Sequence, residues 1–153
     1  MKRQIQSFDY TVLGFLKKYN ILLARLALFV VYFWFGVLKL LDLSPAQPLV
    51  QSLLEKTLPF ISFQNFIILF ALFEMLIGVL FLVSGAERLV MALLALHLVT
   101  TCLPLILLPQ ITWAGFLAPT LEGQYIIKNI LIIALAFVIV SRIEFLGDGK
   151  LSK

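Results

Sequence analysis

Four long runs of apolar residues constrain this chain more than any other feature of its sequence. They cover about residues 20–41, 66–84, 88–108 and 125–141. Each run is close to the ~20 residues that an α-helix needs to cross ~30 Å of hydrocarbon. Only 13% of the residues are charged, whereas a soluble domain carries about 25%. The sequence therefore predicts an all-α, integral membrane four-helix bundle.

The four runs predict a single membrane domain over residues 19–143, with a basic tail at 1–18 and a second tail at 144–153. A basic start followed by an apolar run is also typical of a secretory signal peptide. The run from Ile21 to Leu41 is too long for the apolar region of such a peptide, and no A-x-A-like cleavage site follows it. We therefore expect the first run to be a retained span.

The connection between the first two spans, from Leu43 to Phe60, has its own helical pattern. It begins with Ser44-Pro45, ends before Pro59, and repeats apolar residues at helical spacing at Leu49, Val50, Leu53 and Leu54. This pattern predicts a short amphipathic helix at the membrane interface.

The basic residues are distributed unevenly between the two sides of the predicted bundle. One side has only Lys56, and the other has eight: Lys2, Arg3, Lys17, Lys18, Arg88, Arg142, Lys150 and Lys153. Cytoplasmic loops carry the excess of Lys and Arg, so we expect both termini in the cytoplasm. These residues flank apolar runs and do not alternate with aromatic residues, which argues against nucleic acid as a partner. The lipid bilayer is the predicted partner.

Ionisable residues inside a span cost about 2.5–3.5 kcal/mol each on insertion scales and normally face a partner within the bundle. The most conspicuous is Glu74, in the middle of "LFALFEMLIG". In the first span, a stripe about 60° wide holds most of the polarity. Its members are Arg25, Tyr32, Gly36 and Lys39. The third span contributes His97, and the fourth begins with Lys128 and Asn129.

Depth decides which of these groups can meet. Glu74 lies about 12 Å below the outer end of its span, so we expect His97 on one side of it and Lys39 or Lys128 on the other. Arg25 is nearer the cytoplasmic end. We expect it to contact the Gly85–Arg88 turn, lipid headgroups or a carbonyl.

Three interpretations of Glu74 stay open at this point. It forms a buried pair with a lysine that fixes helix register, it lines an outward-facing cavity that takes up a proton or a polar headgroup, or it is protonated and hydrogen-bonded. Gly36 and Gly78 are interpreted as packing residues. Pro104 removes the donor that would bond the carbonyl of Thr100.

Metal and disulfide chemistry have little support in the sequence. Cys102 is the single cysteine, so no intrachain disulfide can form. His97 and Glu74 together supply two ligands, whereas transition-metal sites usually need three or four. We therefore predict no metal.

Several short motifs occur in a characteristic order. Arg25 is followed by "GVLK" (36–39), "FEMLIG" (73–78) with "SGAER" (84–88), and "LEGQYIIKN" (121–129). Over roughly residues 20–141, the chain thereby resembles the DoxX-like family of small bacterial inner-membrane proteins. The resemblance implies a four-helix bundle in the bacterial cytoplasmic membrane. The residues that match the family pattern, and that the resemblance implies are important, are Arg25, Gly36, Lys39, Glu74, Gly78, Lys128 and Asn129.

The resemblance also implies a redox context, because the family includes a thiosulfate:quinone oxidoreductase subunit and complexes that detoxify oxidants with soluble partners. Our first hypothesis is an accessory or quinone-interacting subunit, in which Glu74 or His97 carries a proton as the candidate catalytic residue. The candidate ligand-binding residues are Lys39, Glu74, His97, Lys128 and Asn129. No haem, flavin or iron–sulfur motif is visible, so we expect no cofactor within the chain, a quinone as the candidate ligand, and a redox partner protein.

Two alternatives come from other functional classes. The first is a non-catalytic membrane scaffold that recruits or stabilises a partner protein. The second is a small proton-coupled transporter or channel. Because four spans are few for a monomeric pore, the transporter would have to be a homo-oligomer.

Overall fold

The computed structural model describes residues 2–141, with side chains from Val12 onward. The predicted tail at 144–153 and its basic residues lie outside the described part, as does Arg142. Over the described residues, the helices and strands are α1 (Lys2–Leu40), α2 (Gln47–Thr57), α3 (Phe63–Leu82), α4 (Glu87–Cys102), α5 (Pro104–Leu107), α6 (Pro109–Thr112), β1 (Trp113–Gly115), β2 (Ala118–Pro119), α7 (Leu121–Ile127) and α8 (Asn129–Val140).

The predicted four-helix membrane bundle is confirmed. Within residues 2–141, four helical segments are long and apolar enough to cross a membrane: Val12–Leu40, Phe63–Leu82, Glu87–Leu107 and Leu121–Val140. The helix α1 runs without interruption from Lys2 to Leu40, so it includes most of the predicted basic tail as well as the first span. This segment contains no proline, so no residue in it lacks the backbone N–H that a helix requires.

The third and fourth spans are each divided into two helices. The helix α4 ends at Cys102 and α5 begins at Pro104, because proline cannot donate to the carbonyl one turn earlier. The fourth span changes from α7 to α8 at Lys128. The connection between the two spans contains the antiparallel pair β1–β2, which the sequence did not predict.

The amphipathic helix between the first two spans is confirmed as α2. It begins at Gln47, three residues later than Ser44, because the Ser44 hydroxyl accepts from the backbone N–H of Ala46 and holds a turn there. Leu54 is buried, whereas Gln51 and Glu55 are exposed. This helix contacts α3 and α5.

The closest helix packing is between α1 and α3, which share the most extensive contact in the bundle. A Cβ atom at Gly78 would lie 2.9 Å from the backbone nitrogen of Phe33, and one at Gly36 would lie 2.7 Å from the carbonyl oxygen of Ala71. Side chains at these positions would force the two backbones apart, as expected of small residues at membrane helix interfaces. The apolar core beside this contact is formed by Ala24, Leu28, Tyr32, Ile77, Phe81, Val90, Leu94, Ala136 and Ile139.

Candidate functional site

Glu74 lies at the centre of a buried polar cluster. Lys39 Nζ donates to Glu74 Oε2 at 2.6 Å. His97 Nε2 lies 3.1 Å from Glu74 Oε1 on the other side. The three side chains are 5–7% exposed, so the carboxylate is bonded to two basic groups with little water around them. The expectation that Glu74 meets His97 and Lys39 is confirmed.

Tyr32 extends this hydrogen-bonded chain by one residue. Its hydroxyl lies 3.4 Å from His97 Nδ1, on the imidazole nitrogen opposite the one that faces Glu74. When Glu74 is ionised, its carboxylate only accepts hydrogen bonds, so in that state His97 Nε2–H donates to Glu74 and Nδ1 accepts from the Tyr32 hydroxyl. We call Tyr32, Lys39, Glu74 and His97 the Glu74 cluster.

The sequence places these groups together through helical spacing and close packing. Tyr32 and Lys39 are seven residues apart and therefore lie on one face of α1. Gly36 lies between them on that face, and Gly78 lies one turn after Glu74 on α3. Because both glycines bring the backbones together, the side chain of Lys39 reaches across the interface without a gap.

Aromatic rings enclose the cluster. Phe70 stacks on His97 with ring centroids 5.4 Å apart and planes 11° apart. The same ring lies 5.5 Å from Lys39 Nζ, and Phe73 tilts against His97 at 6.2 Å. The surroundings are therefore of low polarity, which strengthens hydrogen bonds between the four polar groups. Sequence analysis did not include Phe70, although its position one turn before Glu74 was the available signal.

Each polar side-chain atom of the cluster has at least one hydrogen-bond partner. Among the side chains of residues 12–141, every buried nitrogen or oxygen atom has a hydrogen-bond partner. The Lys39 ammonium and the Glu74 carboxylate balance each other, so the group carries no net charge when His97 is neutral. Such an arrangement can hold a proton at His97 and pass it between Tyr32 and Glu74.

The fourth span contributes no side chain to the Glu74 cluster, which corrects the expectation for Lys128. Its ammonium lies over the Tyr125 ring, 3.8 Å from the centroid, and the side chain is exposed. A long lysine stem at the start of a span extends towards water more readily than into the bundle. Asn129 Nδ2 donates to Thr101 Oγ1 at 3.3 Å. Ligand binding by Lys128 and Asn129 stays a prediction.

Arg25 forms a second polar contact at the other end of the bundle. Its Nη1 donates to the carbonyl of Phe81 at 3.2 Å, and its Nη2 forms an ion pair with Glu87. The expectation that Arg25 contacts the Gly85–Arg88 turn and a carbonyl is confirmed. We call this group the Arg25 pair.

Pro104 has a structural role at the end of the third span. It is buried, and its carbonyl accepts from the hydroxyl of Thr112 at 3.3 Å. Thr112 is fully buried and accepts at its own carbonyl from the N–H of Thr120. Gly123 packs against that carbonyl so closely that a Cβ atom would collide with it. Sequence analysis missed Thr112 and Gly123, which together position the fourth span.

Across the described residues, no group of three or more His, Cys, Asp or Glu side chains is placed to hold a metal ion. Comparison of the chain with protein-family models, with curated proteins and with solved structures finds no match. The geometry of the Glu74 cluster is therefore the basis for a functional assignment.

Proposed function

We propose that this chain is a DoxX-like accessory subunit that interacts with a quinone in a membrane redox or oxidative-stress system of the bacterial cytoplasmic membrane. In this proposal both termini lie in the cytoplasm. One observation carries it: four ionisable or hydrogen-bonding groups form an unbroken chain from Tyr32 through His97 and Glu74 to Lys39. Intramembrane ionisable residues of this kind typically mark proton relays or ligand sites.

The cluster has donors suited to a quinone. Lys39 Nζ carries three N–H donors, of which Glu74 accepts one. The ring of Phe70 lies beside the same ammonium. An apolar, aromatic site with a few convergent polar groups is typical of small-molecule binding, and the carbonyls of a quinone accept hydrogen bonds. The donors of the cluster therefore match the hydrogen-bond acceptors of a quinone.

The residues of this chain would transfer the proton that accompanies electron transfer. A bound quinone supplies the electron-accepting chemistry, and electrons come from a redox partner protein, because no cofactor motif is visible in the sequence. A proton that enters at the Tyr32 hydroxyl would displace that hydroxyl's own proton to His97 Nδ1, and the Nε2 proton would pass to Glu74. Tyr32 and the imidazole are then neutral before and after the transfer, and the Glu74 carboxyl holds the proton. General acid–base catalysis by a positioned histidine contributes typically about 10²–10⁴-fold.

Native mass spectrometry of the protein, extracted gently from its own membrane, tests the proposal. We expect a retained quinone-sized ligand in the wild type and its loss in Glu74→Gln. Glu55→Gln is the matched control, because it makes the same change on the exposed face of α2, and it should keep the ligand. A wild-type chain that retains no such ligand, and whose thermal stability does not change with added quinone, would contradict the proposal.

A second candidate function is a non-catalytic scaffold, which the complete hydrogen bonding of the cluster favours. A closed polar cluster can serve to fix helix register and so present a defined surface to a partner protein. In that case the same experiment would recover a ligand-free chain bound to a second protein. Glu74→Gln would then reduce the yield of folded protein and leave the partner's affinity unchanged in the fraction that folds.

A further inference from the structure

The first turns of the fourth span expose a continuous face that the bundle does not use. Leu121, Gln124, Tyr125 and Lys128 are spaced i, i+3, i+4 and i+7, and all are exposed. The residues of the opposite face, Gly123 and Ile126, are buried against the bundle. The backbone at Lys128 is still helical, so the four side chains form one stripe along α7.

A cleft follows this stripe. It has a volume of about 340 Å³ and is lined by Pro119, Leu121, Gln124, Tyr125, Ile127 and Lys128. Sites for small molecules usually span about 300–1,000 Å³. The lining combines apolar side chains with one cation, the amide of Gln124 and the hydroxyl of Tyr125. This combination fits a ligand that has both an anionic and an apolar part.

Lys128 is held in position at the cleft. Its ammonium lies 3.8 Å from the centre of the Tyr125 ring, which orients the side chain along the stripe. Among the described residues, no carboxylate lies within 4.0 Å of this ammonium. Glu122 is six residues earlier and therefore about 120° away around the helix axis. The positive charge of Lys128 is thus available to an anion.

The position of the cleft along the span decides which anion it meets. The apolar segment begins at Leu121, and Lys128 lies about 10 Å further along the helix axis. A lysine at this depth extends its ammonium to the headgroup level while its stem stays in the apolar layer. The ligand within reach is therefore a lipid of the surrounding leaflet, with phosphate at the ammonium and acyl chains beside Leu121 and Ile127.

We propose that Lys128, Tyr125 and Gln124 form a binding site for the phosphate of an anionic phospholipid. This site is separate from the Glu74 cluster and does not depend on the function proposed for it. An occupied site would attach the lipid to the segment that Gly123 and Thr112 fix against the third span.

Lipid retention measured by native mass spectrometry tests this site. The full-length protein is reconstituted in nanodiscs that contain equal amounts of phosphatidylglycerol and phosphatidylcholine, and is then released into detergent. We expect the retained lipid to be mainly phosphatidylglycerol. Lys128→Gln should reduce its retention about tenfold, the lower end of what a direct hydrogen bond to a charged group contributes. Lys128→Arg should keep it, and Tyr125→Leu should give an intermediate loss.

Lys18→Gln is the matched control. Lys18 also lies over a tyrosine ring, at 5.2 Å from the centroid of Tyr19, but outside the cleft. We expect this variant to retain phosphatidylglycerol within twofold of the wild type, because Lys18 is not among the residues that line the cleft. An equal loss in Lys18→Gln and Lys128→Gln would mean that only surface charge matters, and would overturn the proposal. Equal retention of the two lipids would overturn it as well.

A separate arm distinguishes a lipid from free phosphate. Protein depleted of lipid is titrated with inorganic phosphate, and binding is followed by the fluorescence of the tryptophan and tyrosine residues. We expect phosphate to cause no saturable fluorescence change in the wild type that is lost in Lys128→Gln. Saturable phosphate binding that depends on Lys128 would show that the cleft takes the free anion, and would overturn the assignment to a lipid.

Discussion

The bundle contains two ion pairs that join α1 to neighbouring helices, and the two pairs lie in different surroundings. The Glu74 cluster and the Arg25 pair each begin with a basic side chain of α1 and join it to α3 and α4. Lys39 and Glu74 are 5% and 6% exposed, whereas Arg25 and Glu87 are 17% and 14% exposed. The two sites therefore both contain an ion pair made by a basic side chain of α1, and they differ in how deeply that pair is buried.

Depth changes what each contact can contribute. Partly hydrated charges at a helix end interact modestly and are screened by salt. Buried charges lose their hydration, so removing one partner leaves the other in an unfavourable environment. The Arg25 pair is consistent with an attachment between helix ends. The Glu74 cluster adds a histidine and a tyrosine to its ion pair, and these two groups give it the capacity to move a proton.

The largest effect is expected from breaking the ion pair between Lys39 and Glu74. Glu74→Gln should lower the free energy of unfolding by about 3–5 kcal/mol, because the Lys39 ammonium loses its buried counter-charge. Adding Lys39→Met should recover most of that loss, since the introduced amide can still bond His97 and no buried charge is left. Unfolding titrations in detergent measure Glu74→Gln, Lys39→Met and the double variant. A double variant whose loss equals the sum of the two single losses would show that the groups are not coupled.

A smaller effect is expected from breaking the Arg25 pair. Arg25→Gln should cost about 1 kcal/mol of unfolding free energy, and that cost should fall at high salt. Arg25→Lys keeps the charge but loses the two-armed guanidinium, so it should recover part of the cost. The same titrations at low and high ionic strength check this. A salt-dependent loss in Glu74→Gln and a salt-independent one in Arg25→Gln would reverse the proposed distinction.

The smallest energetic effect should come from Tyr32→Phe, with a loss of about 0.6 kcal/mol, the average for a hydrogen bond between membrane helices. The informative readout is spectroscopic. His97 is the only histidine, so selective ¹⁵N labelling gives one imidazole to follow by NMR. We expect the Nε2–H tautomer in the wild type and a changed Nδ1 shift in Tyr32→Phe. An unchanged Nδ1 shift would remove Tyr32 from the hydrogen-bonded chain.

Sequence analysis anticipated the fold, and it limited the lysine partner of Glu74 to Lys39 or Lys128, for physical reasons. A membrane span needs a long apolar run, which is visible in any single sequence. A costly charge such as Glu74 demands a partner, and helical periodicity placed Lys39 on the stripe that could supply one. Depth along each span then selected His97 as well.

The arrangement of side chains at the start of the fourth span could not be predicted from the sequence in the same way. Lys39 lies at the end of the first span and Lys128 near the start of the fourth, on the same side of the bundle, so position along a span cannot distinguish them. The direction of Lys128 depends on Gly123 packing against Thr112 and on the stacking with Tyr125. These are contacts between distant or exposed groups that have no periodic signature. The break at Pro104 was recognisable, but the hydroxyl of Thr112 that bonds its carbonyl was not.

The unbroken helix α1 has a mechanical consequence. Arg25 and Lys39 are 14 residues apart, so α1 is fastened to the same two neighbours at two points about 21 Å apart along its axis. A rod held at one point can swivel, whereas one held at two separated points cannot swivel while both attachments are in place. Inserting a single residue between them would turn Lys39 by about 100° relative to Arg25, and only one of the two attachments could then form. The rotational setting of the first helix is thus fixed by the count of residues between two charges.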